Sequence, residues 1–404
     1  MDRRVAFAFN MTGKLSIAVV CAPGLEHITS AEISRLKLSG LSATPGRLEP
    51  GLLEYTGDLG NVQLLNLHVR TASRVVVRLG SFHAAAFSEL RKKASRLPWS
   101  SHVTPGQSVR LRVTTNLSSL YHKKGIAERV AGALGDALGR PSPVVAGDDD
   151  GPAEAQLVVV HFLRNRCTIS IDSSGDHLHR RGYRLETGKA PLRETLAAAV
   201  VLASGWPMNT PLVDPFCGSG TIPIEAALMA GGIPPGLNRS FAFEKWPGFD
   251  RGAWEHMKQG ARDAVCAVSA QLFGSDRDAG AVRIAEANAE RAGVGKLCSW
   301  QKQSISDLSL PAEAGWIVTN PPYGERVKGG PDLRNLYARM GSVWRKHANL
   351  WHIYQITSSP RWTGQLGLSC DSVARFANGG IPVSLYKVQR HDDIMDESGL
   401  VRGA

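Results

Sequence analysis

The sequence predicts an α/β protein in which a doubly wound domain with a parallel sheet follows smaller α+β modules. An apolar run up to Val213 precedes a glycine turn, and the apolar residues after that turn recur at helical spacing. Two further strand-like runs end at Asp276 and Thr319, which extends the strand and helix alternation of such a domain. Residues 15–85 instead follow the order βαββαβ, which predicts a ferredoxin-like module.

The turn after the first strand reads Asp214-Pro215-Phe216-Cys217-Gly218-Ser219-Gly220-Thr221. It has neither the Lys-Ser/Thr pair of a Walker loop nor the Gly-x-Gly-x-x-Gly of a dinucleotide fingerprint. Its two glycines allow a backbone with positive φ to approach a ligand closely. Open α/β sheets bind ligands at the carboxyl ends of their strands, so this turn is a candidate binding loop. The carboxylate of Asp214 suits a cationic or hydroxyl-rich ligand better than a phosphate.

Two more strand ends carry polar groups in an informative order. The second strand ends in Asp276, which in this layout can accept hydrogen bonds from both hydroxyls of a ribose. A later strand runs directly into Asn320-Pro321-Pro322-Tyr323. A glycine loop, an acid and an Asn-Pro-Pro-Tyr turn in this order predict an S-adenosylmethionine-dependent methyltransferase that acts on an exocyclic amine.

The Asn-Pro-Pro-Tyr turn matches the needs of that chemistry. A base amino group is a poor nucleophile because its lone pair is delocalised into the ring. The side-chain oxygen of Asn320 and the carbonyl of Pro321 can accept its two hydrogens and direct the lone pair at a methyl donor. Pro322 stiffens the turn, and Tyr323 offers a ring for base stacking worth roughly 1–3 kcal/mol. A rigid turn without a chemical role is the alternative for this motif taken alone.

Composition favours a nucleic-acid partner. The chain carries 47 basic and 36 acidic residues, a formal charge of +11. Such a surface attracts an acidic partner, although a basic surface that only aids solubility is the alternative. Six cysteines without a C-x-x-C pair argue against a zinc site or a disulfide framework and favour a reducing cytoplasm. The cysteine pattern therefore predicts no metal partner. No run approaches the roughly 18 apolar residues of a membrane span, so we expect no membrane partner either.

Two basic segments are candidates for RNA contact. The first is a helix entrance, where backbone N–H groups and lysines can bind a phosphate. The second precedes the doubly wound domain and could line the path of a substrate. The candidate residues are Tyr121, His122, Lys123, Lys124, Arg180, Arg181 and Arg184. A solvated, charged helix start is the alternative for the first segment.

Several motifs together resemble the THUMP-containing RNA guanine-N2 methyltransferases. They are Arg70–Arg74, Ser119–His122, Leu178–Arg184, Ala190–Glu194, Asp214–Thr221, Pro235–Arg239, Phe243–Pro247 and Asn320–Arg326. The resemblance covers about residues 15–390. It implies a Rossmann-like S-adenosylmethionine-dependent methyltransferase domain, preceded by ferredoxin-like and THUMP RNA-binding domains. It also implies methylation of the N2 amine of a guanine in rRNA or tRNA.

The resemblance implies a set of cofactor-binding residues: Asp214, Phe216, Gly218, Ser219, Gly220, Thr221, Asp276, Ser304 and Asn320. The catalytic turn would be Asn320, Pro321, Pro322 and Tyr323. At Ser304 this chain departs from the family, which usually places an aspartate against the adenine amine. A serine hydroxyl can still make that contact, and Asp307 could substitute for it.

The expected domain order has six parts. These are an N-terminal extension (1–14), a ferredoxin-like domain (15–85), a THUMP domain (86–173), a linker (174–195), the methyltransferase domain (196–392) and a C-terminal tail (393–404). Two alternative functions remain open at this point. One is adenine-N6 methylation of DNA or RNA, because Asn-Pro-Pro-Tyr serves any exocyclic amine. The other is a non-catalytic RNA-binding or assembly protein with a degenerate methyltransferase fold.

Overall fold

A computed structural model describes most of the chain. The described residues are 13–44, 49–145, 154–185, 192–323 and 330–389, with the side chains of α9 described from Leu333 onward. Most of the predicted N-terminal extension and the whole predicted tail lie outside these ranges, as do Ala190, Pro191 and residues 324–326 of the quoted motifs. The chain divides into two compact units. The first contains residues 1–21, 30–178 and 236–260, and the second contains 22–29, 179–235 and 261–404.

The first unit is built on one seven-stranded sheet. The first six elements of the chain confirm the predicted βαββαβ order: β1 (Leu15–Cys21), α1 (Glu26–Arg35), β2 (Ser42–Ala43), β3 (Leu52–Gly57), α2 (Leu59–His68) and β4 (Ala72–His83). The first turn of α1, up to Thr29, is grouped with the second unit. The next elements are α3 (Phe87–Ala94), β5 (Val109–Asn116), α4 (Lys123–Leu138), β6 (Gln156–Leu163) and β7 (Arg166–Asp172). The strand order is β2-β3-β1-β4-β7-β6-β5.

Strand β4 joins the two modules of this unit. It pairs antiparallel with β1 on one edge and with β7 on the other. Its inner residues Val75, Val76 and Val77 are buried, as expected for a strand covered on both faces. The two N-terminal modules therefore share a continuous sheet, which the sequence did not predict because strand pairing between modules has no local signal.

A buried ion pair lies at this seam. The Arg74 guanidinium donates to the Asp172 carboxylate over 2.6 Å, and the two side chains are 4% and 0% exposed. Asp172 also accepts hydrogen bonds from the backbone N–H groups of Ser174 and Gly175. These contacts satisfy a carboxylate that burial would otherwise make costly.

The second unit contains a seven-stranded sheet of the predicted doubly wound type. Its elements are α5 (Glu194–Ala203), β8 (Leu212–Asp214), α6 (Thr221–Ala230), β9 (Leu272–Asp276), α8 (Ala279–Arg291), β10 (Cys298–Lys302), β11 (Gly315–Thr319), α9 (Gly330–His347), β12 (Trp351–Thr357), α10 (Pro360–Gly364), β13 (Ser369–Asn378) and β14 (Ile381–Gln389). Helix α7 (Arg251–Asp263) contains the point in the sequence, after residue 260, at which the first unit ends and the second resumes. The strand order is β10-β9-β8-β11-β12-β14-β13, with the first five strands parallel and β14 antiparallel to both neighbours.

Apolar side chains cover both faces of this sheet. Neighbouring residues of β8 and β11 belong to different clusters: Leu212 and Val318 pack with α5 and α6, whereas Val213 and Ile317 pack with α9. This alternation follows from the period of two along a strand. The core thus fixes β8 and β11 side by side, and with them the two polar turns that follow these strands. Among the described residues, no helix is long and apolar enough to span a membrane.

Residues 236–260 pack within the first unit although they follow α6 in sequence. The Gly236 N–H donates to the Leu67 carbonyl over 3.0 Å, and the Trp246 indole N–H donates to the Gln156 side chain over 3.0 Å. Phe243, Phe249 and Trp254 form an aromatic cluster inside this segment. A continuous stretch from 196 to 392 therefore does not coincide with one compact unit, and the predicted boundaries stay predictions.

We expect Asp172→Ala to lower the free energy of unfolding by about 3–5 kcal/mol, because it leaves the buried Arg74 without its carboxylate. Asp136→Ala is the matched control. It removes an ion pair with Arg91 whose side chains are nearly half exposed, so solvent screens the interaction and the loss of stability should be much smaller. Urea titration followed by circular dichroism measures both effects. Equal losses in the two variants would contradict the importance of the seam.

Candidate active site

The glycine turn connects the end of β8 to the start of α6. Gly218 and Gly220 both have positive φ, at 52° and 81°. A Cβ on Gly220 would lie 2.7 Å from the Trp300 ring, so this position needs glycine for packing as well as for conformation. A Cβ on Gly218 would meet no atom within 4 Å. The backbone at Gly218 therefore borders open space that a ligand can occupy.

Hydrogen bonds tie the turn to the end of β9. The Cys217 N–H donates to the Ser275 carbonyl over 3.0 Å, and the Gly218 N–H donates to Oδ2 of Asp276 over 3.1 Å. The other Asp276 oxygen accepts the Asp278 N–H over 3.0 Å. Each carboxylate oxygen has a second acceptor site, so Asp276 can still accept hydroxyl hydrogens from a ligand.

Asp214 is a buried carboxyl that links β8 to β11. Its Oδ1 accepts the Thr319 hydroxyl over 2.6 Å and the Phe216 N–H over 3.1 Å. The pKa of Asp214 is raised to about 7, chiefly because burial disfavours the charged form. The two hydrogen bonds oppose this shift, and the nearby Asp276 charge contributes to it. At neutral pH the carboxyl is therefore poised between its neutral and its charged form.

The Asn-Pro-Pro-Tyr turn presents an unsatisfied acceptor. Oδ1 of Asn320 is buried and has no hydrogen-bond partner among the described residues. No described residue donates to the Pro321 carbonyl either, whereas the Pro322 carbonyl accepts the Tyr337 hydroxyl over 3.3 Å. Leaving a buried acceptor unpaired costs about 1–3 kcal/mol, so an unpaired oxygen here indicates a ligand-binding role.

Tyr323 is fixed by a residue that the sequence analysis missed. The Asn378 side-chain amide donates to the Tyr323 hydroxyl over 2.9 Å, and the ring packs against the core of the second unit. Asn378 ends β13, an edge strand that the sequence did not predict because it mixes polar and apolar residues and only two of its ten residues are buried. The following Gly379-Gly380 pair was the available signal, since such pairs connect hairpin strands.

Ser304 lies after β10 and is hydrogen-bonded to Asp307, the residue predicted to be able to substitute for it. The Ser304 hydroxyl donates to Oδ2 of Asp307 over 2.6 Å. The serine and the aspartate considered for adenine recognition are therefore next to each other. In this arrangement the Asp307 carboxylate and the Ser304 hydroxyl oxygen both keep an acceptor site for an amine.

The first basic segment is arranged as predicted. His122 caps α4, with its Nδ1 accepting the Gly125 N–H over 3.0 Å, and Lys123 and Lys124 follow on the exposed first turn. Tyr121 is 77% exposed. An exposed aromatic ring beside two lysines at a helix N-terminus suits contact with a nucleic acid.

The second basic segment differs from the prediction. Arg180 is exposed, but Arg181 is buried and lies 3.5 Å from the Glu225 carboxylate. Arg184 is only 10% exposed and donates to Glu194 over 3.0 Å. Their charges are paired inside the second unit, so the geometry does not suit direct contact of Arg181 or Arg184 with RNA phosphates. Burial raises the pKa of the Glu194 carboxyl to about 7, and the Arg184 charge opposes that shift.

The cysteines and the residues that could bind a metal have no special arrangement in the described part of the chain. All six cysteines are free thiols. Within the described ranges, no group of three or more His, Cys, Asp or Glu side chains is arranged to hold a metal ion.

We expect the Asp214 charge to reduce stability as the pH rises. A carboxyl whose pKa is raised on folding costs stability between its unfolded pKa, near 4, and its folded pKa of about 7. Relative to Asp214→Asn, the wild-type protein should therefore lose on the order of 2 kcal/mol between pH 5 and pH 8. Denaturant titrations at both pH values measure the difference. A difference that does not change with pH would contradict the assignment.

Comparisons with known proteins match the three parts of the chain. Residues 16–76 match the RlmL ferredoxin-like domain, and residues 84–172 match the THUMP domain. Residues 181–385 match the UPF0020 family, described as the RMKL-like methyltransferase domain. The expected resemblance and fold class are therefore confirmed.

Full-length relatives give the same result. Two curated proteins carry the name "Putative RNA methyltransferase": slr0064 of Synechocystis sp., 32% identical over 95% of this chain and 98% of its own, and YpsC of Bacillus subtilis, 32% identical over 93% and 96%. The structure of SMU.472 complexed with S-adenosylhomocysteine is 28% identical, with a TM-score of 0.82 over 94% of this chain and 99% of its own. A Listeria monocytogenes structure, described as a predicted N6-adenine-specific DNA methylase, is 33% identical, with a TM-score of 0.81 over 94% and 97%. The chain therefore belongs to the UPF0020 RMKL-like methyltransferase family, carries RlmL-type ferredoxin-like and THUMP domains, and uses S-adenosylmethionine.

Proposed function

We propose that this protein transfers a methyl group from S-adenosylmethionine to the exocyclic N2 amine of a guanine in rRNA or tRNA. The observation that carries the proposal is the buried Oδ1 of Asn320, which no described residue satisfies. It follows β11, the strand next to β8 and its glycine loop. An unpaired acceptor beside a cofactor loop is what an amine substrate requires.

The residues of the glycine loop fit the cofactor. The open space beside Gly218 leaves room for a ligand against the backbone. Asp276 would bind the ribose hydroxyls, and the turn from Asp214 to Thr221 would hold the methionine end. Asp307 or Ser304 would contact the adenine. When bound, S-adenosylmethionine supplies a methyl group on a sulfonium, which is already a strong electrophile.

The chain's own contribution to the transfer is the positioning of the amine. Oδ1 of Asn320 and the Pro321 carbonyl would accept its two hydrogens, so the nitrogen lone pair would point at the methyl group. Tyr337 holds the turn through the Pro322 carbonyl. Tyr323, held by Asn378, would stack on a base that has left its helix. The carbon–sulfur bond would break as the carbon–nitrogen bond forms, so S-adenosylhomocysteine would leave, and the methylated nitrogen would lose one proton to solvent. Neither a metal nor a general base enters this scheme.

RNA is the proposed substrate for three reasons. The THUMP match covers residues 84–172, where Tyr121, Lys123 and Lys124 lie exposed at one helix start. The two curated relatives are named RNA methyltransferases. An overall charge of +11 supports a polyanionic partner. The N-terminal unit would bind the RNA by its backbone and shape.

Guanine N2 is proposed because the resemblance is not limited to the catalytic turn. It extends through Leu178–Arg184 before α5 and through Pro235–Arg239 and Phe243–Pro247 after α6. The second candidate is adenine N6. The description of the Listeria monocytogenes relative favours it, and the Asn-Pro-Pro-Tyr turn serves either amine. Identification of the methylated nucleoside distinguishes the two candidates.

We expect Asn320→Ala to lower kcat by at least about 100-fold while the Kd for S-adenosylmethionine changes less than about threefold, since the lost acceptor aligns the amine rather than the cofactor. The assay measures transfer of labelled methyl groups to rRNA and tRNA from cells that lack this protein. Asn320→Asp is the matched control because it keeps acceptor oxygens at the same place and should retain more activity than the alanine variant. Unchanged turnover in Asn320→Ala would exclude the proposed role.

A further inference from the structure

We infer that Asn288, oriented by Arg291, is a positioning residue for the S-adenosylmethionine loop. Both residues lie on α8, within the second unit. The inference concerns cofactor binding and does not depend on which base is methylated. It also gives a structural role to part of the second basic segment, which the sequence predicted to contact RNA.

The contact that carries the inference joins Asn288 to the glycine turn. Nδ2 of Asn288 donates to the Ser219 carbonyl over 2.9 Å, across 69 positions of sequence. Asn288 is fully buried, and Ser219 is only 8% exposed. A hydrogen bond in such a place is shielded from competing water, so its loss leaves a buried carbonyl unsatisfied.

The peptide that Asn288 anchors lies between two flexible positions. Gly218 and Gly220 flank Ser219, and both have the positive φ that glycine adopts without strain. The other anchors of the turn act through N–H groups: Cys217 to Ser275, Gly218 to Asp276, and Gly220 to the Cys217 carbonyl. The Asn288 amide instead binds the turn from a side chain, through the Ser219 carbonyl. The loop is thereby fixed before the cofactor arrives, which reduces the entropy cost of binding.

Arg291 determines which way the Asn288 amide points. Its guanidinium donates to Oδ1 of Asn288 over 2.5 Å. Arginine has only donors, so the amide oxygen must face Arg291 and the NH₂ group must face Ser219. The Arg291 Nε–H also donates to the Tyr183 carbonyl over 2.8 Å. Arg291 thus connects the segment at Tyr183 with the cofactor loop through Asn288.

Tyr183 reaches the helix on the other side of the turn. Its hydroxyl donates to Oε1 of Glu225 over 3.1 Å, and Glu225 is a fully buried residue of α6. Arg181 contacts the same carboxylate. The turn is therefore held from α8 by Asn288, and the helix that follows the turn is held at Glu225 by Tyr183 and Arg181.

Asn288→Asp tests the inference, because aspartate has the same shape, keeps the acceptor for Arg291 and removes the donor to Ser219. Isothermal titration with S-adenosylmethionine should give a Kd about five- to tenfold higher, the effect of one lost buried hydrogen bond. At saturating cofactor, kcat should stay within about twofold of wild type. Glu286→Gln is the matched control, since it makes the reverse change between acid and amide at an exposed position of the same helix, and should leave the Kd unchanged.

Arg291→Met provides a second test, which leaves the buried Asn288 itself unchanged. It removes the donor that orients the Asn288 amide, so the Kd should rise in the same direction, by about threefold or more. A purely structural role for Asn288 would lower the melting temperature and leave the Kd unchanged. An unchanged Kd in folded Asn288→Asp or in folded Arg291→Met overturns the inference, whatever the methylated base proves to be.

Discussion

The hydrogen bond between the Thr319 hydroxyl and the Asp214 carboxyl is the interaction on which the site depends. It joins the carboxyl ends of β11 and β8, which are neighbours in the sheet although far apart in sequence. Asp214 begins the glycine turn, and Thr319 directly precedes Asn320. One contact of 2.6 Å therefore fixes the distance between the cofactor loop and the turn proposed to hold the amine. The Gly218 contact with Asp276 adds the third strand end to this arrangement.

The site retains polar groups that a protein selected for stability alone would not keep. The Asp214 carboxyl is buried with a raised pKa, and Oδ1 of Asn320 has no partner in the described part of the chain. Each costs folding free energy because a buried polar group without full compensation is unfavourable. Natural enzymes commonly accept such costs where a ligand completes the hydrogen bonding.

The sequence predicted the parts of the fold and site that depend on local pattern. The βαββαβ order, the doubly wound domain and the strand positions of Asp214, Asp276 and Asn320 all follow from apolar periodicity and turn residues. It did not predict the burial of Arg181 and Arg184, because their partners Glu225 and Glu194 are known only from the tertiary structure. The packing of residues 236–260 and the role of Asn378 were missed for the same reason, since each depends on a partner that is distant in sequence.

The most direct test of the central claim is mass spectrometry of nucleosides from rRNA and tRNA, purified separately from cells with and without this protein. We expect N2-methylguanosine to decrease in one of the two pools when the protein is absent. Loss of N6-methyladenosine with N2-methylguanosine unchanged would contradict the assignment of guanine and leave the Asn-Pro-Pro-Tyr chemistry in place. No change in any methylated nucleoside of either pool would contradict methylation of rRNA and tRNA altogether.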